Sequence, residues 1–252
     1  MRILLALDVG NTGVSVALFK GSRFFHKGWM PTDGPRSYES LLRRFLPSRP
    51  AVSEVILSSV VPQATHLLKK TLRKMGLPAP GVLGENIQAP VINRYRIPSQ
   101  VGQDRLVNAA AAYEWYGGPA VIVDFGTAVT LDLVSRRREY LGGFIVPGLE
   151  VALAALAERT ALLPKVGLKR PKEFLGRDTR SSILSGLFHG YGAMCDGLVT
   201  RMRARYAPRA RVVATGGHAR LMAPFCRTLQ VVNPDLTLQG LELTSRLVKK
   251  SC

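Results

Sequence analysis

The chain has 252 residues, enough for one large or two modest domains with filled cores. Hydrophobic residues make up 46%, yet no apolar run is long enough to span a bilayer, which argues against a membrane span. Lys and Arg number 35 against 17 Asp and Glu, a formal net charge of +18. The basic residues are scattered, with clusters at Arg136-Arg137-Arg138 and from Arg201 to Arg211. Neither cluster carries interleaved aromatics of the base-stacking kind, so the charge reads as a solvated surface that draws in anionic metabolites rather than nucleic acid. Cys195, Cys226 and Cys252 have no metal or disulfide spacing, and the chain opens directly on a strand pattern without a signal peptide. A reducing, cytoplasmic setting is expected.

The first apolar run, Ile3 to Leu7, leads into Asp8-Val9-Gly10-Asn11-Thr12, and Val14 to Phe19 leads out. Both runs read as strands, so the segment between them is a tight hairpin turn. Gly10 allows close backbone approach, Thr12 and the turn amides offer donors to a phosphate, and Asp8 at the strand end suits a hard cation such as Mg²⁺. Taken singly, the pattern is more often that of a plain hairpin. Gly21 to Pro35 reads as strand and loop. Ser37 to Leu46 reads as a helix with Leu41, Leu42 and Phe45 on one face, stopped by Pro47 and Pro50. Val55 to Val61 is a buried strand, Pro62 to Met75 a helix, and Val82-Leu83 a short strand. A Pro-punctuated irregular loop runs from Gly84 to Gln100 and carries Tyr95.

After Val101-Gly102-Gln103-Asp104-Arg105, a helix is expected from Asp104 to Trp115, broken at Gly117-Gly118-Pro119. The boundary between two halves, 1–117 and 118–252, is placed there. The run from Ala120 to Val134 then repeats the opening plan: a strand ending in Asp124, then Phe125-Gly126-Thr127, then a second strand. Two such turns shift the reading from hairpin towards a nucleotide site. Gly142 to Gly148 is a glycine-rich strand and turn, and a helix from Leu149 carries Val151, Leu153, Ala154 and Leu156. Thr179 is placed to cap a helix reaching Arg205. Along it Gly186, Gly190, Ala193 and Gly197 form a small-residue stripe for close packing, against this chain or a second copy. A strand from Arg211 to Ala214 runs into Thr215-Gly216-Gly217-His218, a turn that suits a flat ligand such as adenine or simply a tight helix entry. Leu229 to Val232 is a strand and Leu238 to Lys249 a closing helix.

P-loop, Gly-x-Gly-x-x-Gly, His-Glu-x-x-His and Gly-x-Ser-x-Gly motifs are absent. Acidic residues are few, so Asp8, Asp104 and Asp124 carry weight. Phosphoryl transfer needs positioning and charge neutralisation, and one carboxylate to orient the attacking hydroxyl. Asp104-Arg105 alone fits a helix cap with a local ion pair better than it fits such a base beside an anion-holding guanidinium.

The two Asp-Gly-Thr-like turns plus the late Thr-Gly-Gly turn resemble the actin, sugar-kinase and heat-shock-chaperone ATPase superfamily. Within it the chain resembles the type III pantothenate kinases. The resemblance runs through Asp8–Thr12, Ser58-Ser59-Val60-Val61-Pro62, Tyr95, Gly102-Gln103-Asp104-Arg105, Asp124–Thr130, Gly142-Gly143, Pro147-Gly148 and Gly176-Arg177-Asp178-Thr179. It implies an α/β fold of two ribonuclease-H-like halves, each a mixed sheet with flanking helices and ATP between them. The activity implied is ATP-dependent phosphorylation of pantothenate. The resemblance assigns ATP binding to Asp8, Val9, Gly10, Asn11, Thr12, Gly13, Val14, Ser15 and Thr127, with Asp8 serving Mg²⁺. It assigns pantothenate to Tyr95, Gly102, Gln103, Asp104, Arg105 and Thr179, with Asp104 as proton acceptor. It assigns a monovalent cation, K⁺ or NH₄⁺, to Asp124, and implies a homodimer. Gln103 stands where the family commonly has Ala, and Arg177-Asp178 replaces a usual Lys-Asn. The rivals are another small-molecule kinase of the superfamily and a catalytically idle regulatory relative.

Overall fold

The opening runs are strands buried on both faces, with Leu4 to Leu7 and Val16 to Phe19 fully enclosed. The computed structural model describes residues 2–31, 38–46 and 52–248. In it β1 (Ile3–Val9) and β2 (Gly13–Lys20) pair antiparallel, and β3 (Arg23–Pro31) extends the meander. β4 (Glu54–Ser59) runs parallel to β1, and β5 (Gly81–Val82) parallel to β4, giving the order β3-β2-β1-β4-β5. Leu5, Leu7, Val9, Val14, Val16 and Leu57 face a core closed by Leu42 and Phe45 of α1 (Tyr38–Phe45) and Leu68 and Leu72 of α2 (Pro62–Lys74). Proline at the start of α2 costs nothing, because that amide has no intrahelical partner anyway.

The second sheet is ordered β11-β10-β7-β8-β9-β6. β7 (Ala120–Phe125), β8 (Ala128–Val134) and β9 (Glu139–Pro147) form the meander; β10 (Arg211–Thr215) runs parallel to β7 and β11 (Val231–Val232) parallel to β10. Without β6 this is the first sheet's topology again. Its core joins Val121, Val123, Phe125 and Leu131 to Leu149 and Leu153 of α4 (Leu149–Arg159), Phe188 and Val199 of α5 (Thr179–Tyr206) and Met222 of α6 (Ala219–Met222). α3 (Gln103–Tyr116) follows the first sheet and α7 (Leu236–Val248) the second. A Cβ on Gly240 of α7 would collide with Val107 of α3, its backbone oxygen only 2.7 Å away, so these helices touch backbone to side chain.

The chain divides into two compact units: 1–91, 96–111 and 237–252, and 92–95 with 112–236. These are not the sequence bounds 1–117 and 118–252. Residues 237–252 return to the first unit, and 92–95 leave it, because β6 (Ile92–Asn93) pairs parallel with β9. β6 lies inside the stretch expected to be irregular; two residues carry no period to read.

One local expectation, the cap of α5, needs correction. The N-cap of α5 is Asp178, whose carboxylate accepts from the Ser181 N–H at 3.0 Å while the Ser181 hydroxyl accepts from the Asp178 N–H at 3.1 Å. Thr179 is therefore the first helical residue. On α4 only Leu149 and Leu153 are buried, and Val151 and Leu156 are exposed. The small stripe of α5 is exposed too, with nothing within 4 Å of a Cβ built on Gly186, Gly190 or Gly197. The glycine of α5 that packing demands is Gly192, where a Cβ would collide with the backbone of Phe225. Ser37, Pro47 and Pro50 of the expected first helix and its stop lie outside the described residues. No described helix is long and apolar enough to cross a membrane.

Candidate active site

In the first unit, β1 and β2 stay paired up to Val9 and Val14, leaving Gly10 to Gly13 as the turn. The Gly10 N–H donates to the Gly13 carbonyl at 2.9 Å, closing it. Directly paired residues share a sheet face. Asp8 pairs with Ser15 on one side and Ser58 on the other, so a carboxylate stands between two hydroxyls. Ser58 is fully buried and its Oγ has no hydrogen-bond partner among the described residues. A Cβ on Gly13 would meet the indole of Trp29, a residue that is otherwise 63% exposed.

The end of β1 leads to Asp104 through one residue. The Val60 N–H donates to the Val9 carbonyl at 3.1 Å, and Val60 Cγ1 lies 3.7 Å from where a Gly102 Cβ would stand. A Cβ on Gly102 would also collide with Asp104 Oδ1, which accepts from the Arg105 N–H at 2.9 Å. Asp104 is thus folded over the first turn of α3 and half-buried, while Arg105 is buried. Gly102 and Gln103 line a cavity of about 560 Å³ together with Ser59, His66, Lys69 and Glu85. The Gln103 carbonyl oxygen is buried without a partner among the described residues, and its amide lies over Gly84, which has φ +80°.

In the second unit Asp124 repeats the arrangement. It pairs with Thr130 and Thr215, again a carboxylate between two hydroxyls, and the buried Thr215 Oγ1 is without a partner among the described residues. The Thr-Gly-Gly turn closes on it. Gly216, at φ +90°, has no room for a Cβ, which would collide with Asp124 and sit 2.7 Å from the Phe125 carbonyl carbon. The His218 N–H donates to the Phe125 carbonyl at 3.1 Å, and His218 Nδ1 is buried without a partner among the described residues. Thr127, exposed on the Gly126–Thr127 turn, is braced from behind: the Gly148 N–H donates to its carbonyl at 2.9 Å, and a Cβ on Gly148 would lie 2.5 Å from the Gly126 oxygen.

Tyr95 belongs to this unit and sits on the Gly142–Gly143 stretch of β9. A Cβ on Gly142 would approach its ring to 3.3 Å, and the Tyr140 ring is 6.2 Å from it centre to centre. Tyr140 is fully buried and donates its hydroxyl to Asp132 at 2.7 Å; the Thr130 hydroxyl donates to the other Asp132 oxygen at 2.9 Å. Asp132, Tyr140 and Trp29 are groups that sequence reasoning did not single out, and it named Ser58, Thr215 and His218 only as members of their motifs. Asp132 was detectable as a lone charge between Leu131 and Leu133 in an apolar strand. Thr179 is exposed on the first turn of α5 beside Asp178, whose carboxyl is held below its ordinary range chiefly by the Ser181 N–H. The structure therefore groups Asp8 to Ser15 with Gly102 to Arg105 in one unit, and Tyr95, Asp124, Thr127 and Thr179 in the other.

Two sheets of one topology, each with a strand that carries a carboxylate near a tight turn, give the fold shared by actin-like ATPases and sugar kinases. Solved structures agree on the fold. MreB 5 of Spiroplasma citri bound to AMPPNP matches with a TM-score of 0.55 at 11% identity, over 100% of this chain and 98% of its own. A conserved putative Baf family transcriptional activator from Campylobacter jejuni matches at 0.59 and 18%, over 98% and 99%.

Sequence carries the assignment further. The type III pantothenate kinase family profile matches residues 4–201. Type III pantothenate kinases of Moorella thermoacetica and Geobacter sulfurreducens are each 39% identical, covering 96% of this chain and 98% and 97% of their own lengths. The chain belongs to the type III pantothenate kinase family.

Proposed function

We infer that this chain transfers a phosphoryl group from ATP to pantothenate, as a kinase of coenzyme A biosynthesis. The observation that carries this reading is the carboxylate flanked by hydroxyls at the end of the central strand of both sheets, in a chain of this family.

Asp8 to Ser15 and Thr127 take the ATP phosphates through turn amides and hydroxyls. Tyr95, Gly102, Gln103, Arg105 and Thr179 hold pantothenate. Asp104 accepts the proton of its terminal hydroxyl; the hydrogen bond from the Arg105 N–H supports this by fixing the carboxylate against its own helix. The side-chain carbonyl oxygen of Gln103, buried without a partner among the described residues, supports a ligand donor there.

Asp8 with Ser15 and Ser58 offers oxygen donors alone, which fits Mg²⁺ completed by phosphate oxygens and water. Among the described residues no cluster of three His, Cys, Asp or Glu competes for a softer metal. Asp124 with Thr130 and Thr215 offers one charge and neutral oxygens, which fits K⁺ or NH₄⁺. When bound, these cations neutralise charge on the phosphates. The exposed stripe of Gly186, Gly190, Ala193 and Gly197 supports a homodimer, and light scattering should return twice the 27.5 kDa chain mass.

Purified protein with ATP, Mg²⁺, K⁺ and pantothenate should yield phosphopantothenate. Asp104→Asn should lower turnover by about 10²–10⁴-fold with an unchanged melting profile. Full turnover in that variant would remove Asp104 from the role.

A further inference from the structure

The two basic clusters of the sequence, at 136–138 and 201–211, converge on one cavity that the kinase reading does not use. It measures about 440 Å³, and Arg136, Arg137 and Arg209 line it beside Tyr206, Leu141 and Glu139. It lies where β7 begins and β8 ends, at the far end of those strands from Asp124.

Its charge is compensated only in part, by the attraction between Glu139 and Arg137. None of Arg136, Arg137 and Arg209 forms an ion pair among the described residues. The single carboxylate, Glu139, already accepts from Ser135 at 3.0 Å and from Arg94 at 3.0 Å, and these bonds hold it below its ordinary range. Its arginines rise from two fixed turns. In the first, the Ser135 N–H donates to the Glu139 carbonyl at 2.8 Å, the Arg137 N–H to Ser135 Oγ at 3.1 Å, and the Tyr113 hydroxyl to the Arg136 carbonyl at 3.0 Å. In the second, the Arg203 guanidinium donates twice to the Ala210 carbonyl, at 3.0 and 2.7 Å, and the Ala210 N–H closes on Ala207 at 2.9 Å. Apolar surface lies open beside the charge: Tyr206 is 68% exposed and Leu141 42%.

We propose that this cavity is a second ligand site, for a small metabolite that joins a phosphate to a planar ring, of about mononucleotide size. Guanidinium forks bind phosphate in bidentate fashion, and an exposed tyrosine offers a face for a ring. The volume falls within the range of about 300–1,000 Å³ usual for small-molecule sites. A nucleic-acid strand would want successive aromatic platforms, and Tyr206 is the one aromatic residue lining this cavity.

The test is calorimetric titration of the full chain with AMP and, separately, inorganic phosphate, at low salt and with Mg·AMPPNP in saturating amount so that the kinase site is filled. We expect one further equivalent of AMP per chain. Arg137→Ala/Arg209→Ala should weaken it at least tenfold, and Tyr206→Ala should weaken AMP while sparing phosphate. Pantothenate turnover and melting temperature should hold in both variants, so failure here is separable from failure of the kinase reading. Absence of the extra equivalent, or AMP binding indifferent to both variants, overturns the proposal. A 12-nucleotide single strand bound more tightly than AMP through the same arginines overturns it in favour of nucleic acid.

Discussion

The two sheets share a plan, and their differences show which parts of it are scaffold and which are bespoke. β3 and β9 both end in proline, Pro31 opposite Gly13 and Pro147 opposite Ala128. Asp8 and Asp124 occupy one position, Ser15 and Thr130 a second, Ser58 and Thr215 a third. Two residues further along the second strand the copies part: Ala17 in the first sheet, Asp132 in the second, both buried. The first turn is guarded by an exposed tryptophan side chain at Gly13, the second by backbone at Gly148. So the carboxylate and its hydroxyls are common property, and the buried Asp132–Tyr140 bracket behind Tyr95 belongs to one copy.

The sharpest way to break the equivalence is at the shared carboxylates. Asp8→Asn and Asp124→Asn should each lower turnover by roughly 10²–10³-fold if each charge is an electrostatic stabiliser. Their rescue should differ: raising K⁺ should restore part of the activity of Asp124→Asn and none of Asp8→Asn. Steady-state rates across a K⁺ series decide it, and identical K⁺ curves would deny the division of labour.

Next comes the position where the copies part. Ala17→Asp would bury an unpaired carboxylate among apolar neighbours and should cost roughly 3–5 kcal/mol. Asp132→Ala removes the acceptor of two hydroxyls, one on the fully buried Tyr140, and should cost about 1–3 kcal/mol. Denaturant melts give both values. Asp132→Ala should also raise KM for pantothenate more than it changes KM for ATP, because its bracket ends at Tyr95. Equal shifts in both constants would reduce Asp132 to a stability residue.

Much of the duplication was legible because it rests on short-range pattern: an apolar strand, a terminal aspartate and a small-residue turn in each half. Topology came only with the family resemblance that those turns carry. The illegible parts depend on contacts distant in sequence. β6 is a strand only because β9 offers an edge to Ile92 and Asn93. Gly192 looks like any helical glycine until Phe225 lies against it, while the periodic stripe beside it drew notice and packs on nothing described. Ser58 and Thr215 gain meaning only from their register with the aspartates. The capping aspartate was hidden differently: Thr179 and Asp178 are both good caps by type, and dihedral geometry chose Asp178.

That cap supplies the smallest predicted effect, and it too separates the copies. The crossover from third to fourth strand uses an eight-residue helix, α1, in the first sheet, and in the second a segment that includes the 28-residue α5. Like any α-helix, α5 leaves four orphan amides at its start, and Asp178 answers them with a charge. Its carboxyl lies below its ordinary range in the folded chain, first through the Ser181 N–H and next through the Ser181 hydroxyl. The folded state therefore binds that proton less readily than the unfolded state does. Stability from this source is complete above the unfolded value, about 3.9, and drains away as pH falls through the lower folded value. Asparagine caps equally well without a charge. Hence the melting temperature of Asp178→Asn should sit slightly below the parent at pH 6 and close on it as pH falls below about 4. A difference that stays constant across that interval would mean the carboxylate's charge contributes nothing to holding α5.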